Sequence, residues 1–194
     1  MAWITGDRVL LRAWERDDVR IRWETDQTPD ATELRLRDWH GPPRSLAARE
    51  AEFEAIDPDD ESVVALVIVA EDRVIGDVRL FDIDRRNRMG RLGISIWRAE
   101  DRNRGYGSDA VTALVRWAFR ELNLHRVELT VDPSNARAIH VYEKVGFVRE
   151  GVLRETHYAE GAYSDALVMG VLDHEFESRL QKRREEGAPS VRQA

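Results

Sequence analysis

The stretch Arg91–Phe119, RLGISIWRAEDRNRGYGSDAVTALVRWAF, joins an apolar run typical of a strand to a charged loop, two glycines and a helix-like segment. From about Ser108 the apolar residues recur at the spacing of a helix that packs on a sheet. Arg102 and Arg104 lie just before Gly105, at the start of this segment. The N–H groups at the start of a helix attract anions, and the two arginines add positive charge there. The pattern therefore predicts a phosphate-binding loop between a strand and a helix.

The same glycines also fit a dinucleotide-binding fingerprint, because Gly105, Gly107 and Ala110 have the spacing G-x-G-x-x-A. That fingerprint needs its first glycine in the turn directly after a strand, within a repeated array of parallel strands. Here the strand ends near Trp97, and the segment RAEDRNR separates it from Gly105. A nicotinamide site is therefore the weaker alternative. A P-loop is excluded, because no Gly-Lys-Ser/Thr follows the glycines.

The segments on either side indicate an α/β domain with a mixed sheet. SVVALVIVA and VIGDVRLFDI are β-rich runs joined only by Glu71–Arg73, which is typical of an antiparallel hairpin. Downstream, HRVELTV predicts a strand, NARAIHVYEKV a helix that begins at Asn135, and GFVREGVLRE with AYSDALVMGVL two closing strands linked through Gly161. The elements predicted upstream are a strand at Arg8–Trp14, helices at Arg16–Gln27 and Ser45–Ile56, and loops around Pro29 and Gly41–Pro43.

The composition is that of an ordinary globular protein, with 194 residues, 35% charged and 42% hydrophobic. We expect one domain over residues 1–180 and a polar tail that frays over residues 181–194. The net charge of -7 and the acidic run Asp57–Glu61 favour a cationic or neutral partner and argue against nucleic acid. The chain has no cysteine, which excludes disulfides and cysteinyl intermediates and fits a reducing cytoplasm. No segment has the pattern of a membrane span or a signal peptide.

Two motifs in order resemble the GNAT N-acetyltransferase superfamily. The loop Arg102–Gly107 before a helix resembles its acetyl-CoA pyrophosphate loop, Gln/Arg-x-x-Gly-x-Gly/Ala. The segment NARAIHVYEKVGF resembles its second signature, which is matched here by Asn135, Ala138, Tyr142, Gly146 and Phe147. Over residues 6–177 the chain resembles the branch that acetylates ribosomal-protein N-termini and spermidine. The resemblance implies a mostly antiparallel sheet with a central, splayed pair of parallel strands flanked by helices.

The resemblance also implies a binding site for acetyl-CoA and no metal. In the family, pantetheine binds backbone amides of the strand that is GISIW here, the loop binds the pyrophosphate, and an asparagine bonds the pantetheine arm. The residues thereby implied in cofactor binding are Ser95, Ile96, Trp97, Arg102, Asn103, Arg104, Gly105, Tyr106, Gly107, Ser108 and Asn135. Tyr142 is implied as the general acid that serves the leaving sulfur.

The general base is left open by the sequence. An alkylamine has a pKa of about 10.4, so it must lose a proton before it attacks a thioester. Relatives often carry a glutamate two residues before the glycine of the GISIW strand, where this chain has Arg91. Glu128, on the polar face of the next strand, is one candidate, and a chain of waters is another. His125 is expected to be a surface or capping residue.

These observations predict an acetyl-CoA-dependent N-acetyltransferase that modifies a primary amine, which can be a small molecule, a polyamine or a protein N-terminus. Since the chain has no cysteine to carry the acetyl group, we expect direct attack in a ternary complex. A non-catalytic acyl-CoA sensor or interaction module is the alternative, and Arg91 favours it. The resemblance allows a homodimer. It also places Trp14, Trp23 and Trp39 in the segment that shapes the acceptor site, although most tryptophans are core residues.

Overall fold

The computed structural model describes residues 4–28, 44–57, 59–159 and 161–187. Its strands are β1 (Ile4–Thr5), β2 (Leu10–Ala13), β3 (Val64–Ala70), β4 (Arg73–Asp84), β5 (Met89–Ile96), β6 (Arg126–Val131), β7 (Val148–Ala159) and β8 (Ala162–Leu172). Its helices are α1 (Arg16–Asp26), α2 (Leu46–Glu54), α3 (Tyr106–Arg120), α4 (Ala136–Val145) and α5 (Asp173–Gly187). The loops predicted around Pro29 and Gly41–Pro43, and Trp39 between them, lie outside the described residues.

The strands form one sheet in the order β1-β2-β3-β4-β5-β6-β8-β7. Within the described residues its neighbours are antiparallel except β5 and β6, which pair in parallel. The pairing of these two strands ends at Arg91 and Glu128, although β5 continues to Ile96 and β6 to Val131. A gap therefore opens in the middle of the sheet. The predicted mixed sheet with a splayed parallel pair is confirmed.

The two faces of the sheet are covered by different helices. On one face α3 and α4 pack into the main core, to which α3 contributes the buried residues Val111, Leu114 and Ala118 at the predicted helical spacing. On the other face lies α1, whose Ile21 packs against a smaller cluster that includes the buried indole of Trp97. The gap between β5 and β6 thus has a helical layer on both sides.

The ends of the helices follow local capping chemistry. The Oγ atom of Ser45 accepts the N–H of Ala48 at 3.2 Å, and the Oδ1 atom of Asn135 accepts the N–H of Ala138 at 3.1 Å. Both residues are therefore the N-caps that their types favour. Gly146 ends α4 with a φ of 129°, a left-handed conformation that other residues rarely adopt. These caps fix where α4 starts and stops beside the gap.

Two elements are absent from the sequence prediction. One is the short strand β1, and the other is α5, which is mostly charged but packs Phe176 into the core at 1% exposure. Because α5 continues to Gly187, the segment expected to fray from Gln181 is helical up to that residue.

Candidate active site

A cavity of about 590 Å³ opens where β5 and β6 separate, a volume typical of small-molecule sites. It is bordered by the free ends of both strands, the loop before α3, the first half of α4 and the polar face of β4. The predicted site residues that line it are Ser95, Ile96, Arg102, Asn103, Gly105, Gly107, Ser108, Asn135 and Tyr142. The structure therefore brings the loop, the strand and the tyrosine to one cavity.

The loop before α3 presents main-chain donors that the protein leaves unused. In the described part of the chain we find no acceptor for the N–H groups of residues 103–108. Asn103 has a φ of 60° and Gly105 a φ of 85°, so both are in the left-handed region. When left-handed residues alternate with right-handed ones, successive backbone N–H groups point into one concave surface that can bind an anion. The start of α3 adds partial positive charge at the same place. These donors fit a diphosphate.

Gly107 keeps space open between this loop and β5. A Cβ atom at this position would lie 3.8 Å from Ile96 Cγ1 and 3.9 Å from Ile94 Cδ1, which are ordinary contacts. The glycine is thus not needed to avoid a clash within the protein. A longer side chain would extend into the cavity beside β5, so the missing side chain makes room for a ligand.

At the end of β5, Ile96 faces the gap. The N–H of Trp97 donates to Ile75 of β4 at 3.0 Å, and successive peptide groups of a strand point to opposite edges. The N–H and C=O groups of Ile96 therefore point toward the gap, and those of Ser95 point toward β4. In the gap, the Ile96 carbonyl accepts a hydrogen bond from Arg102 Nε at 3.3 Å. Trp97 is 1% exposed and lies outside the cavity. Of the three residues predicted to contact pantetheine, the geometry favours Ile96 as the backbone donor.

Two other predicted loop residues lie on the far side of the loop. Arg104 pairs with Glu71 at 3.2 Å, and the buried Tyr106 donates its hydroxyl to the same carboxylate at 2.7 Å. This hydrogen bond raises the pKa of Tyr106. Both residues border a second cavity, of about 930 Å³, rather than the cavity between the strands. The side chains of Arg104 and Tyr106 could therefore contact a cofactor only on the side of the loop that faces the second cavity.

On the wall formed by α4, Tyr142 and Asn135 face the gap as the second motif predicts. The Tyr142 ring is 8% exposed and packs edge-on against Phe147, with 5.8 Å between the ring centroids. Asn135 uses its Oδ1 atom as the helix cap, which leaves the Nδ2 group as a donor toward the cavity. Ala138 and Val141 complete this wall. The packing around Tyr142 holds its side chain in one place.

Neither residue considered for proton transfer from the amine lines the cavity. Glu128 accepts from Arg126 at 2.9 Å and lies 3.9 Å from Arg91 Nε, so its carboxylate is held between two guanidinium groups. His125 is 3.2 Å from Asp173 and half exposed at the start of β6, the surface position that we expected. The general base is therefore not assigned to either of them.

The wall opposite α4 consists largely of residues that the sequence did not single out. The side chains added there are Trp14, Arg22, Arg49, Asp77, Arg79, Phe81, Arg91, His157 and Ser164. Of these, the sequence had singled out Trp14 as a possible acceptor residue and Arg91 as the residue in place of the family glutamate. Trp23 donates to the Arg44 carbonyl at 3.1 Å and lies outside the cavity. The only signal in the sequence was the alternation in GDVRLFDI, which a solvated strand face produces equally well.

Comparison with known proteins shows the family of the chain. A family model described as the acetyltransferase (GNAT) domain matches residues 8–148. The SPbeta prophage-derived uncharacterized N-acetyltransferase YokL of Bacillus subtilis is 30% identical over 174 residues, which cover 89% of this chain and 94% of that protein. The spermidine N(1)-acetyltransferase of Escherichia coli K12 is 28% identical over 168 residues, which cover 87% and 88%. The chain belongs to the GNAT acetyltransferase family.

A solved structure extends the comparison to the fold. The crystal structure of spermidine N-acetyltransferase from Vibrio cholerae in complex with CoA and spermine superimposes with a TM-score of 0.79 at 26% identity, over 89% of this chain and 99% of that one. The protein is thus an acetyl-CoA-dependent N-acetyltransferase that acts on amines. The nicotinamide alternative is wrong, and the mostly antiparallel sheet gives the physical reason.

Among the described helices, none combines the length and the apolar character needed to cross a bilayer. In the same residues, no three histidine or carboxylate side chains are grouped in a way that could hold a metal ion.

Proposed function

We propose that a small primary amine attacks the thioester of acetyl-CoA inside the cavity between β5 and β6. The amine enters over the polar face of β4, and the cofactor enters from the loop before α3. One observation carries this proposal: the cavity lined by Asn103, Gly105, Gly107 and Ser108, whose N–H groups have no acceptor among the described residues, is also lined by the buried Tyr142. Acetyl-CoA supplies the acetyl group already activated as a thioester.

The chain positions this cofactor mainly through its backbone. The N–H groups of residues 103–108 bind the diphosphate, and the helix start favours its negative charge. The Ile96 N–H and the Asn135 Nδ2 group donate to the pantetheine amides across the gap. Because these donors belong to a strand and to a helix cap, their positions are set before the ligand binds. Such preorganisation lowers the entropic cost of bringing two substrates together.

Tyr142 is proposed to serve the sulfur as it leaves. A thiol has a pKa of about 8.5 if cysteine is the guide, and a phenol has one of about 10. A thiolate that forms in a buried cavity without a partner is poorly solvated. The Tyr142 hydroxyl donates a hydrogen bond to this sulfur and then transfers its proton, which lowers the barrier to breaking the C–S bond.

The proton of the attacking amine needs an acceptor on the other side of the gap. Asp77 is a carboxylate on that wall, and its Oδ1 atom accepts the Trp97 Nε1–H at 2.6 Å. This hydrogen bond fixes the carboxylate on the outer face of β4, where it can receive the amine proton through water. We therefore add Asp77 to the candidates for this step. Sequence reasoning missed it because it lies in an alternating strand pattern.

Spermidine and spermine, which the relatives from Escherichia coli and Vibrio cholerae carry in their names, are the first acceptors to test. The acidic residues that favoured a cationic acceptor in the sequence, Asp57 and Asp59 to Glu61, do not line the described cavity. A protein N-terminus stays among the candidates. Cytoplasmic location also stays a prediction, based on the lack of cysteine.

We expect the purified protein to release CoA thiol from acetyl-CoA only when a primary amine is present, and to yield the N-acetylated amine by mass spectrometry. The reason is that the proposed attack on the thioester needs an amine in the same cavity, so hydrolysis without an amine stays slow. The same reaction without an amine is the control. If acetyl-CoA binds but no amine causes thiol release, the acyl-CoA sensor is the correct function.

A homodimer is a further part of the proposal. The hairpin of β7 and β8 lies at one end of the sheet, and it exposes Val148, Val152, Leu153, Tyr158 and Tyr163 at 46–65% of their surface. Exposed apolar side chains in such a group are typical of protein contacts. We expect light scattering to give twice the chain mass of 22.4 kDa, and Val152→Glu to shift the protein toward monomer. A monomer at every concentration would contradict the dimer.

A further inference from the structure

The wall of the cavity that faces the acceptor is rich in arginine. Arg22, Arg49, Arg79 and Arg91 line it together with Asp77; the other carboxylates among the described residues that border the cavity are Asp101, which pairs with Arg73, and Asp132. The net charge of the whole chain is negative, so this concentration of positive charge is local. A charged cavity wall selects its ligand by charge.

The charges of Arg22 and Arg49 are balanced within the protein. Arg22 Nε lies 3.2 Å and Arg49 Nη2 lies 2.7 Å from the carboxylate of Asp26, which is 6% exposed. Arg22 Nη1 is also 3.7 Å from Asp77. Two guanidinium groups thus meet two carboxylates. This cluster holds α1 and α2 against the sheet and adds little net charge to the cavity.

Arg79 and Arg91 form a second pair that shares one aromatic ring. Their Cζ atoms lie 5.1 Å and 5.6 Å from the ring centroid of Phe81. Gly93 lets Arg79 lie across β5, because a Cβ atom there would be 3.1 Å from Arg79 Nε and 3.6 Å from Phe81 Cε1. The ring and the glycine therefore hold two guanidinium groups close together above the sheet, at the edge of the cavity.

In this second pair, the charge of Arg79 is not balanced by the described residues. In the described part of the chain, no carboxylate lies within ion-pair distance of Arg79. Arg91 pairs with Asp82 at 3.5 Å and lies 3.9 Å from Glu128, which also accepts from Arg126, so its charge is partly balanced. A guanidinium group without a carboxylate partner, next to a second one that is only partly balanced, is a site for an anion.

We propose that the acceptor is a primary amine that also carries a carboxylate or phosphate group, and that Arg79 and Arg91 bind this group over Phe81. The inference rests on the proposed function, and it names the class of amine. Guanidinium groups match both anions because their donors form two parallel hydrogen bonds. A polyamine would instead bring a second ammonium group next to two cations, which selects against it.

Amines that share a chain and differ in the charge of the far end test this proposal. The set is butylamine, 1,4-diaminobutane, 5-aminopentanoate and 4-aminobutyl phosphate, with shorter and longer chains of each kind. We expect kcat/KM for the anionic amines to exceed that for butylamine by about tenfold or more, as expected for charged hydrogen bonds, and the diamine to be the poorest substrate. The two anionic amines show whether the carboxylate or the phosphate is preferred.

Variants show whether the arginines cause the preference. Arg79→Gln should reduce the ratio of anionic to neutral kcat/KM to near one, mainly through KM, and Arg79→Glu should shift the preference toward the diamine. Arg86→Gln, which removes an exposed arginine outside the cavity, is the matched control and should keep the wild-type ratio. Pentanoate, which has no amine, should bind the wild type and not Arg79→Gln in calorimetry.

Two outcomes would overturn the inference while the proposed function stands. One is an equal kcat/KM for amines with a neutral, cationic or anionic far end, and the other is a preference for the diamine that Arg79→Gln does not alter. A preference for anionic amines that survives in Arg79→Gln would overturn the assignment to this arginine pair. Absence of transfer to every amine in the set would overturn the proposed function, and this inference with it.

Discussion

We expect Tyr142→Phe to lower kcat by about 100- to 1000-fold, in the range of a positioned general acid, while the Kd for acetyl-CoA stays nearly unchanged. The substitution removes only the hydroxyl group, so the packing of the ring against Phe147 is retained. What is lost is the proton for the departing sulfur. Steady-state kinetics with a saturating amine and calorimetry with CoA measure the two quantities separately.

The matched control is Tyr106→Phe. It removes the hydroxyl of another buried tyrosine, which donates to Glu71 and borders the second cavity. We expect its kcat to stay close to that of the wild type. A wild-type kcat in Tyr142→Phe would contradict the general-acid role, and an equal loss in both variants would point to a structural effect.

We expect Gly107→Val to weaken CoA binding by about 100-fold or more, which corresponds to roughly 2.7 kcal/mol. The branched side chain would occupy the space between the first turn of α3 and β5, next to the amides proposed to hold the diphosphate. The fold should be retained, because a Cβ atom fits at 3.8 Å from Ile96. Calorimetry with CoA gives the affinity, and thermal melting checks the fold.

Gly151→Val is the matched control for this substitution. A Cβ atom on Gly151 meets nothing within 4 Å, and the residue lies on β7, outside the cavity. Gly107→Ala should have an intermediate effect, since it adds a single methyl group. Unchanged affinity in Gly107→Val would show that the diphosphate does not pass this position.

The loop and the helix face that are proposed to hold the cofactor could be predicted because their determinants are local. A loop that ends in glycines before an amphipathic helix leaves its N–H groups unpaired, whatever the rest of the fold does. Asn135 and Tyr142 share a face of one helix, so their relation follows from helical periodicity. The structure brings them to the same cavity as the loop because β5 and β6 separate, which only the family resemblance had implied.

The acceptor side could not be predicted because its residues meet only through the register of distant strands. Asp77 pairs with Ser95, Arg79 with Gly93, and Phe81 with Arg91 across β4 and β5. An alternating pattern does not tell a solvated face from the wall of a cavity. His157 and Ser164 reach the same wall from β7 and β8.

Trp97 was predicted to contact the cofactor, but its side chain lies outside the cavity for a different reason. It follows Ser95 by two residues, so both point to the same face of the sheet. On that face the large indole is covered by α1 and packs against the tilted ring of Trp14, with 5.8 Å between the ring centroids. The position of the Trp97 side chain is therefore set by the burial of its apolar ring and by the hydrogen bond from its Nε1–H to Asp77.

The central claim is that one cavity through the sheet holds the diphosphate on the loop amides and the sulfur beside Tyr142. A crystal structure of the protein with CoA tests it most directly. The account predicts diphosphate oxygens within hydrogen-bond distance of the N–H groups of residues 103–108, and the sulfur within hydrogen-bond distance of the Tyr142 hydroxyl. A diphosphate in the second cavity beside Arg104 and Arg116, or a sulfur that the Tyr142 hydroxyl does not reach, would contradict it.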